Sequence, residues 1–366
     1  MKYLLLSLLL LAGCDSSASV SPKNSLCSKD NISQNELAQC AQDGDLNSQY
    51  ELGMSYLNNQ TMTAEDAQQS FHWISQAAEK GYMPAQNMMS WFYRSGTAVE
   101  RNDQKAFEWA VKAAEAGSIN SLNNVAFYYQ QGIGVEKDPV KGLEYYRKAA
   151  EQGNVSAQKN LGLAYLNGWG TQANPQEALH WLLKSAEQGD QDGMINAAAA
   201  YNALGHYENG LLWLKKAADL GNSLAQASLG YMYAMGEGVT ADKEQALFWL
   251  NKAMAQENAH AYYLMGKFHA DSGTVFAKDE KQAFEYYLKA AELGSPEGQS
   301  ESAKWLMQGI HTQKNETEAL KWYESAAENG IPEAMAALVD IYGKGTATIP
   351  KDEAKKQYWQ DKLSGQ

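Results

Sequence analysis

Three glycine pairs are the residues in this sequence whose spacing most resembles a ligand-binding loop. They are Gly132-Ile133-Gly134, Gly168-Trp169-Gly170 and Gly236-Glu237-Gly238. Glycine-rich loops bind phosphate when they follow a strand and open a helix, and a P-loop also contains a Gly-Lys-Ser/Thr sequence. Each pair here lies between two helix-like segments, with no strand pattern before it and no Gly-Lys-Ser/Thr sequence. The pattern therefore predicts inter-helix turns and not nucleotide-binding loops.

The histidines lack the spacing that metal binding requires. The six histidines are scattered along the chain at His72, His180, His206, His260, His269 and His311. Two ligands on one helix face need an i,i+4 spacing such as HExxH, and neither occurs here. No Gly-x-Ser-x-Gly sequence marks a nucleophile. We therefore expect no metal site, no cofactor and no enzymatic activity.

The net charge narrows the class of partner. The 366 residues carry a formal charge of −13, and no basic stripe is present to neutralise phosphates. An acidic chain of this kind is repelled by nucleic acids and by anionic lipid. We expect no nucleic-acid partner, and the acidic side chains are typical of solvated helix surfaces.

The helices that position these residues are indicated by a recurring sequence motif, the phrase seen as AAEKG at 77–81 and AAEQG at 149–153. The phrase closes on glycines 81, 117, 153, 189, 221, 294 and 330, with spacings of 36, 36, 36, 32, 73 and 36. A fixed period in this range is typical of a solenoid of helix pairs. The fold class predicted is therefore all-α.

Residues 154–189 show the pattern within one repeat. Helix A begins near Val155, and a glycine-containing loop follows it. Asn174-Pro175 then starts helix B with a capping residue and a first-turn proline, and Gly189 ends it in a left-handed conformation. Small residues such as Gly162 and Ala178 are expected where the two helices approach closely.

The phrases LGLAYLNGWG at 161–170, LGYMYAMGEGV at 229–239 and KAFEWAVKAAEAG at 105–117 resemble the Sel1-like repeat family, relatives of tetratricopeptide repeats. The resemblance covers residues 41–366 and implies a right-handed α-solenoid of about nine helix–loop–helix repeats within a domain at 31–366. The nine repeats lie near 41–81, 82–117, 118–153, 154–189, 190–221, 222–257, 258–294, 295–330 and 331–366.

Three repeats depart from the pattern. The fifth repeat is four residues short, which predicts a clipped inter-helix loop. The sixth has Glu257-Asn258 in place of the closing glycine, and we expect Asn258 to take the left-handed conformation. The ninth ends in the polar sequence KKQYWQDKLSGQ, as expected of a capping helix that faces water.

The amino terminus has the features of a secretory signal peptide at 1–13. One lysine precedes an apolar run that is too short to span a bilayer. Leu11-Ala12-Gly13-Cys14 resembles the lipobox of bacterial lipoproteins, which implies that Cys14 is lipidated and that residues 14–30 contain a flexible tether. Asp15 resembles an inner-membrane retention signal, which implies a lipid-anchored protein of the bacterial envelope that faces the periplasm.

Two cysteines remain after Cys14, namely Cys27 and Cys40. Outside the cytoplasm such a pair favours a disulfide, which would attach the lead segment to a first helix near residues 33–42. The alternative is two free thiols used for metal binding or catalysis, but no CxxC sequence or neighbouring histidine supports it.

The resemblance also implies that the A helices line a concave side where a protein partner binds. Three positions of each A helix are expected to face that side. The candidate partner-binding residues are Asn87, Trp91, Arg94, Asn123, Phe127, Gln130, Lys159, Leu163, Tyr231, Tyr263, Lys267 and Lys304. Aromatic side chains with amides and cations are typical of interface hot spots. The alternative is that Trp91, Phe127 and Tyr231 pack against the next repeat.

The predicted function is a non-enzymatic protein-interaction module, monomeric and membrane-anchored, that serves as a scaffold or adaptor of the envelope. Sel1-like lipoproteins also resemble immunity proteins that neutralise phospholipase effectors of type VI secretion, so a secreted effector is an alternative partner. A host-protein binder and a repeat-based cell-wall hydrolase are the further alternatives.

Overall fold

The computed structural model describes Cys27, residues 33–59 and residues 61–365, and these parts contain nineteen α-helices and no β-strand. The predicted signal peptide, Cys14 and Asp15 lie outside the described residues. The helices are α1 (Gln34–Gln42), α2 (Leu46–Leu57), α3 (Ala64–Glu79), α4 (Met83–Ser95), α5 (Asp103–Glu115), α6 (Ile119–Gln131), α7 (Pro139–Glu151), α8 (Val155–Asn167), α9 (Pro175–Glu187), α10 (Gln191–Ala203), α11 (Tyr207–Asp219), α12 (Ser223–Met235), α13 (Lys243–Met254), α14 (Ala259–Ala270), α15 (Glu280–Glu292), α16 (Pro296–Gln308), α17 (Glu316–Glu328), α18 (Pro332–Lys344) and α19 (Glu353–Ser364). Among them, none is long and apolar enough to cross a membrane.

The helices from α2 onward form consecutive A–B pairs, and the fold class is the predicted all-α solenoid. The fourth repeat shows why these residues form a pair. The Asn154 side chain caps α8 by accepting from the Ala157 amide, and Gly168 ends that helix at φ 74°. The Asn174 side chain then caps α9, which has Pro175 in its first turn. Each start and stop predicted for this repeat is present.

Small residues set the distance between the two helices of a pair. A Cβ atom added to Gly162 of α8 would lie 2.5 Å from Leu182 Cγ of α9, which is inside van der Waals contact. Ala178, on the facing side of α9, is fully buried. The absence of a side chain at Gly162 therefore lets Leu182 fill the space between the helices.

The chain divides into two compact units, 1–200 and 201–366, called here the N-terminal and C-terminal units. Each buries its own apolar clusters. In the N-terminal unit one cluster includes Tyr146, Leu161 and Leu182. In the C-terminal unit one includes Leu250 and Phe268. Both units therefore have helix-pair cores in which alanines alternate with larger side chains.

The fifth repeat has the clipped loop that its sequence indicates. Only residues 204–206 connect α10 to α11, whereas residues 168–174 connect α8 to α9. The final helix, α19, buries Trp359 among its described residues and exposes most of its other side chains. It has the polar outer surface expected of the last helix in a repeat array.

The expectation for Asn258 is wrong. Glu257 is the residue in the left-handed region, at φ 56°, whereas Asn258 has φ −68°. Asn258 caps α14, and its side chain accepts from the Ala261 amide. In the other repeats the closing glycine immediately precedes the cap, so Glu257 stands in the glycine register and Asn258 in the capping register.

Helix α1 takes the place of a B helix before the first pair. Gln49 of α2 donates to the Ala41 carbonyl of α1, just as Gln158 of α8 donates to the Ala150 carbonyl of α7. Cys40 of α1 is fully buried and is joined to Cys27 by a disulfide, with the two Cα atoms 5.8 Å apart. The disulfide therefore ties the lead segment to this first helix.

Candidate functional site

Trp91, Phe127 and Leu163 occupy one repeat position on the A helices α4, α6 and α8 of the N-terminal unit. We call these three residues the apolar row. Phe127 is 42% exposed, whereas Trp91 is half-buried and packs against the cluster around Phe92. Leu163 is also half-buried. Packing within the core therefore accounts for Trp91 but not for Phe127, which is exposed.

Polar side chains join successive A helices beside the apolar row. Asn87 Oδ1 of α4 accepts a 3.0 Å hydrogen bond from Ser121 Oγ of α6. Asn123 Oδ1 of α6 accepts a 3.1 Å bond from Asn160 Nδ2 of α8. Lys159 Nζ of α8 lies 2.9 Å from Asp192 Oδ2 of α10, which extends the series to the next A helix. These bonds link α4, α6, α8 and α10 of this unit into one continuous A-helix surface.

Arg94, on the next turn of α4, is held by a carboxylate of the chain itself. Its Nη1 atom lies 3.1 Å from Asp103 Oδ1, and Arg101 Nη2 lies 2.8 Å from Asp103 Oδ2. The hydrogen bond from Arg101 and the charge of Arg94 hold the pKa of Asp103 below its ordinary value. At a matching position on α6, Gln130 Oε1 accepts a 3.0 Å hydrogen bond from Tyr146 OH. Burial raises the pKa of that tyrosine.

The C-terminal unit has a different A-helix surface. Tyr231 is half-buried, stacks on Phe268 at 6.1 Å and donates to Glu237 Oε1 at 3.0 Å. Burial, followed by the bond to Glu237, raises the pKa of Tyr231. The ring of Tyr263 lies 5.9 Å from that of Tyr287, in the partly buried layer between α14 and α15.

The two candidate lysines of this unit lie on a surface that also carries carboxylates. Lys304 Nζ lies 3.3 Å from Glu301 Oε2, and Lys267 is exposed on α14. Burial raises the pKa of Tyr263, and the charges of Glu301, Glu297 and Glu333 raise it further. The two lysines gave this surface a basic character in the sequence analysis. The structure adds the acidic groups Glu297, Glu301 and Glu333, which are not among the candidate partner-binding residues.

The twelve candidate residues thus fall into two sets. The surface of the N-terminal unit brings together Asn87, Trp91, Arg94, Asn123, Phe127, Gln130, Lys159 and Leu163. Tyr231, Tyr263, Lys267 and Lys304 belong to the C-terminal unit. The sequence reading missed the partners of the polar series, such as Ser121, Asn160 and Asp192. The paired side chains are 33 to 37 residues apart in the sequence, and this spacing is the feature from which the pairs could have been predicted. Binding by these residues stays a prediction.

Two of the three glycine pairs are packed tightly against the backbone of a neighbouring helix. A Cβ atom on Gly134 would collide with the Asp103 carbonyl oxygen, because this loop packs onto the first turn of α5. Gly170 packs in the same way onto Pro139 of α7. In these two loops the backbone of the preceding B helix therefore fills the space beside the second glycine, whereas a Cβ atom on Gly238 would meet only Met232 Cε, at 3.4 Å. Within the part of the chain described, no group of three or more His, Cys, Asp or Glu side chains is arranged to hold a metal ion.

The helix pairs, the close approach at their glycines and the continuous A-helix surface define an α-solenoid repeat protein. The Sel1 repeat family model matches residues 46–82, 84–118, 119–154, 155–190, 198–222, 223–258, 259–295 and 296–331. The chain belongs to the Sel1 repeat family, whose members are generally protein-interaction modules without catalytic activity. The ninth pair, α18–α19, lies beyond the last matched segment.

Two solved structures share most of this architecture. One is a protective antigen of uropathogenic Escherichia coli with an SLR fold, 31% identical over 92% of this chain and 72% of that chain, with a TM-score of 0.62. The other is a Sel1 repeat protein from Oxalobacter formigenes, 27% identical over 91% of this chain and 99% of that chain, with a TM-score of 0.59.

A more distant similarity is to an immunity protein from Pseudomonas aeruginosa. It is 19% identical over 68% of this chain and 81% of that chain, with a TM-score of 0.38. A comparison with curated protein sequences finds no match.

Proposed function

We propose that this protein is a non-enzymatic interaction module that binds a protein partner on the A-helix surface of its N-terminal unit. The observation that carries the proposal is Phe127, which is 42% exposed at the centre of the apolar row. Hydrogen bonds tie its helix to both neighbouring A helices, so the ring is presented on a rigid surface. Exposed aromatic side chains on a rigid surface are typical anchors of protein interfaces.

Affinity capture with matched variants tests this proposal. The wild-type chain, Phe127→Ala and the control Val140→Ala are each incubated with envelope extract and with culture fluid from sibling strains. Val140 is a suitable control because it is 57% exposed on helix α7, away from the apolar row. We expect one protein to be captured by wild type and by Val140→Ala but lost with Phe127→Ala.

The source of the captured protein also distinguishes the alternatives. An envelope protein indicates a scaffold, whereas a secreted toxin found in the culture fluid indicates an immunity protein. Equal capture by all three chains would contradict the proposed surface. Turnover of peptidoglycan or phospholipid by the purified chain would contradict a non-enzymatic role.

We further propose that the protein is lipid-anchored through Cys14 and faces the periplasm. The support is the sequence of residues 1–15, in which a lysine, an apolar run, the Leu-Ala-Gly-Cys box and Asp15 follow in order. Cys14→Ser is expected to abolish incorporation of radiolabelled palmitate and to move the protein from the membrane fraction to the soluble fraction. Unchanged labelling of this variant would contradict the anchor.

A further inference from the structure

We infer that the partner segment covering the apolar row is uncharged and apolar, an inference that rests on the proposed function. Its first support is how the charges are distributed between the two kinds of helix. Helices α4, α6 and α8 have 13 residues each and only two charged side chains among them, Arg94 and Lys159. The B helices α5, α7 and α9, of the same length, carry five, five and three charged side chains.

This difference is not explained by burial of the A helices. Phe127 is exposed, and Trp91, Leu163, Asn123 and Asn160 are all partly accessible to solvent. A solvent-accessible surface with only two charged side chains is unusual for a chain in which 20% of the residues are charged. Depletion of charge together with enrichment in aromatic side chains is typical of the centre of a protein interface.

The second support is that both cations on this surface are already paired with carboxylates of the chain itself, with Asp103 shared between Arg94 and Arg101. Arg94 is paired with Asp103 at 3.1 Å. Lys159 Nζ lies 2.9 Å from Asp192 Oδ2 and 4.0 Å from Asp190 Oδ2. An acidic partner segment would have to displace these carboxylates, and the same ion pairs occupy the carboxylates that a basic segment would need.

The amide side chains lead to the same conclusion about charge. Asn87 Oδ1 and Asn123 Oδ1 accept hydrogen bonds from the neighbouring A helices. A charged group brought to this surface would lose water without gaining an ion pair, which is unfavourable. An aliphatic or aromatic side chain that covers Phe127 instead removes apolar surface from water, which favours binding.

A phage library of random linear peptides, selected on the immobilised full chain, tests the inference. We expect the enriched peptides to be rich in Leu, Ile, Met and Phe and poor in Asp, Glu, Lys and Arg. Synthetic versions of these peptides are then measured against three variants. Phe127→Ala should weaken binding about tenfold or more, the usual loss at an interface hot spot. Phe127→Leu should retain most of the affinity, and Val140→Ala should leave it unchanged.

The possible failures can be told apart. Enrichment of charged peptides whose binding is lost in Phe127→Ala would overturn the inference but leave the proposed surface intact. Enrichment of neutral peptides whose binding is unchanged in Phe127→Ala would overturn the proposed surface itself. Failure to enrich any peptide would also overturn the inference, because it requires a linear apolar segment to bind. Circular dichroism of each variant confirms that the helices are retained.

Discussion

Glu257 occupies a backbone conformation that the other repeats assign to glycine. Its φ of 56° lies in the left-handed region, where a side chain costs about 1 kcal/mol or more relative to glycine. At the equivalent Gly221 and Gly294, an added Cβ would contact nothing within 4 Å. The free-energy cost at Glu257 therefore comes from its backbone conformation and not from steric crowding of its side chain. Its carboxylate also lies just beyond the C-terminus of α13, where the helix dipole disfavours negative charge.

We accordingly expect Glu257→Gly to raise the free energy of unfolding by about 1 kcal/mol. Denaturant unfolding followed by circular dichroism measures the change. Glu257→Gln, which removes the charge but keeps the side chain, should recover only a small part of it. If Glu257→Gly has no effect, or destabilises the chain, the left-handed conformation is not costly at this position.

Glu316 is a buried carboxylate that fastens the last inter-helix loop to α17. Its side chain is 6% exposed, and its Oε2 atom accepts 2.6 Å hydrogen bonds from the hydroxyls of Thr346 and Thr348. Lys314 Nζ lies 2.7 Å from the other carboxylate oxygen. The bonds from Lys314 and from the two threonines lower the pKa of Glu316 from its ordinary value of 4.5 to about 2.

Because the pKa is lower in the folded chain, Glu316 stabilises the fold above pH 4.5, and this contribution is lost as the pH falls toward about 2. Glu316→Gln should therefore be less stable than wild type at neutral pH, and the difference should disappear through this acidic range. Thermal unfolding at several pH values measures it. Glu328→Gln, at an exposed position at the far end of α17, is the matched control for removing a carboxylate from this helix. A difference from wild type that persists at low pH would contradict this role.

At the scale of the helix, a buried glutamine joins each of several A helices to the preceding B helix. Gln86, Gln158 and Gln226 donate to the carbonyls of Ala78, Ala150 and Ala218. In two of these repeats the glutamine oxygen is also satisfied. Gln188 Nε2 donates to Gln158 Oε1 at 2.7 Å, and Gln256 Nε2 donates to Gln226 Oε1 at 2.8 Å. Each donor lies 30 residues after its acceptor.

The same position in the second repeat has no donor. Ala116 lies 30 residues after Gln86, and Gln86 Oε1 is buried without a hydrogen bond from any described residue. We expect Ala116→Gln to supply that bond and to raise the free energy of unfolding by about 1 kcal/mol. Ala116→Met, similar in length but without a donor, should not reproduce the gain. Equal stabilisation by both variants would show that added apolar contact, and not the hydrogen bond, is responsible.

The helix starts and stops were predictable from sequence because each depends on local residues. Asn174-Pro175 begins α9 and Gly189 ends it through their own backbone preferences. The conformation of Asn258 was mispredicted because asparagine favours two places, the left-handed position and the N-cap. The repeat register decides between them, and it assigns Asn258 to the cap.

The exposure of the candidate site could not be predicted in the same way. Trp91 and Phe127 hold the same repeat position, yet Trp91 packs beside Phe92 and Phe127 is exposed. The difference depends on side chains from neighbouring helices, which the pattern within one repeat does not contain. The pairing of Arg94 with Asp103 across an inter-helix loop was missed for the same reason.

At the scale of the whole molecule, the two compact units present different A-helix surfaces. That of the N-terminal unit is apolar and rich in amides, and its two cations are paired. That of the C-terminal unit combines Lys267 and Lys304 with Glu297, Glu301 and Glu333. The repeats therefore supply a common scaffold, and the residues at a few A-helix positions set the chemistry of each surface.

Site-specific photocrosslinking in living cells tests the central claim, which is that a protein partner contacts the apolar row. A benzophenone amino acid is placed at position 127 in one strain and at position 140 in another, and both are irradiated under the same conditions. We expect one discrete protein adduct at position 127 and none at position 140. No adduct at position 127, or the same adducts at both positions, would contradict it.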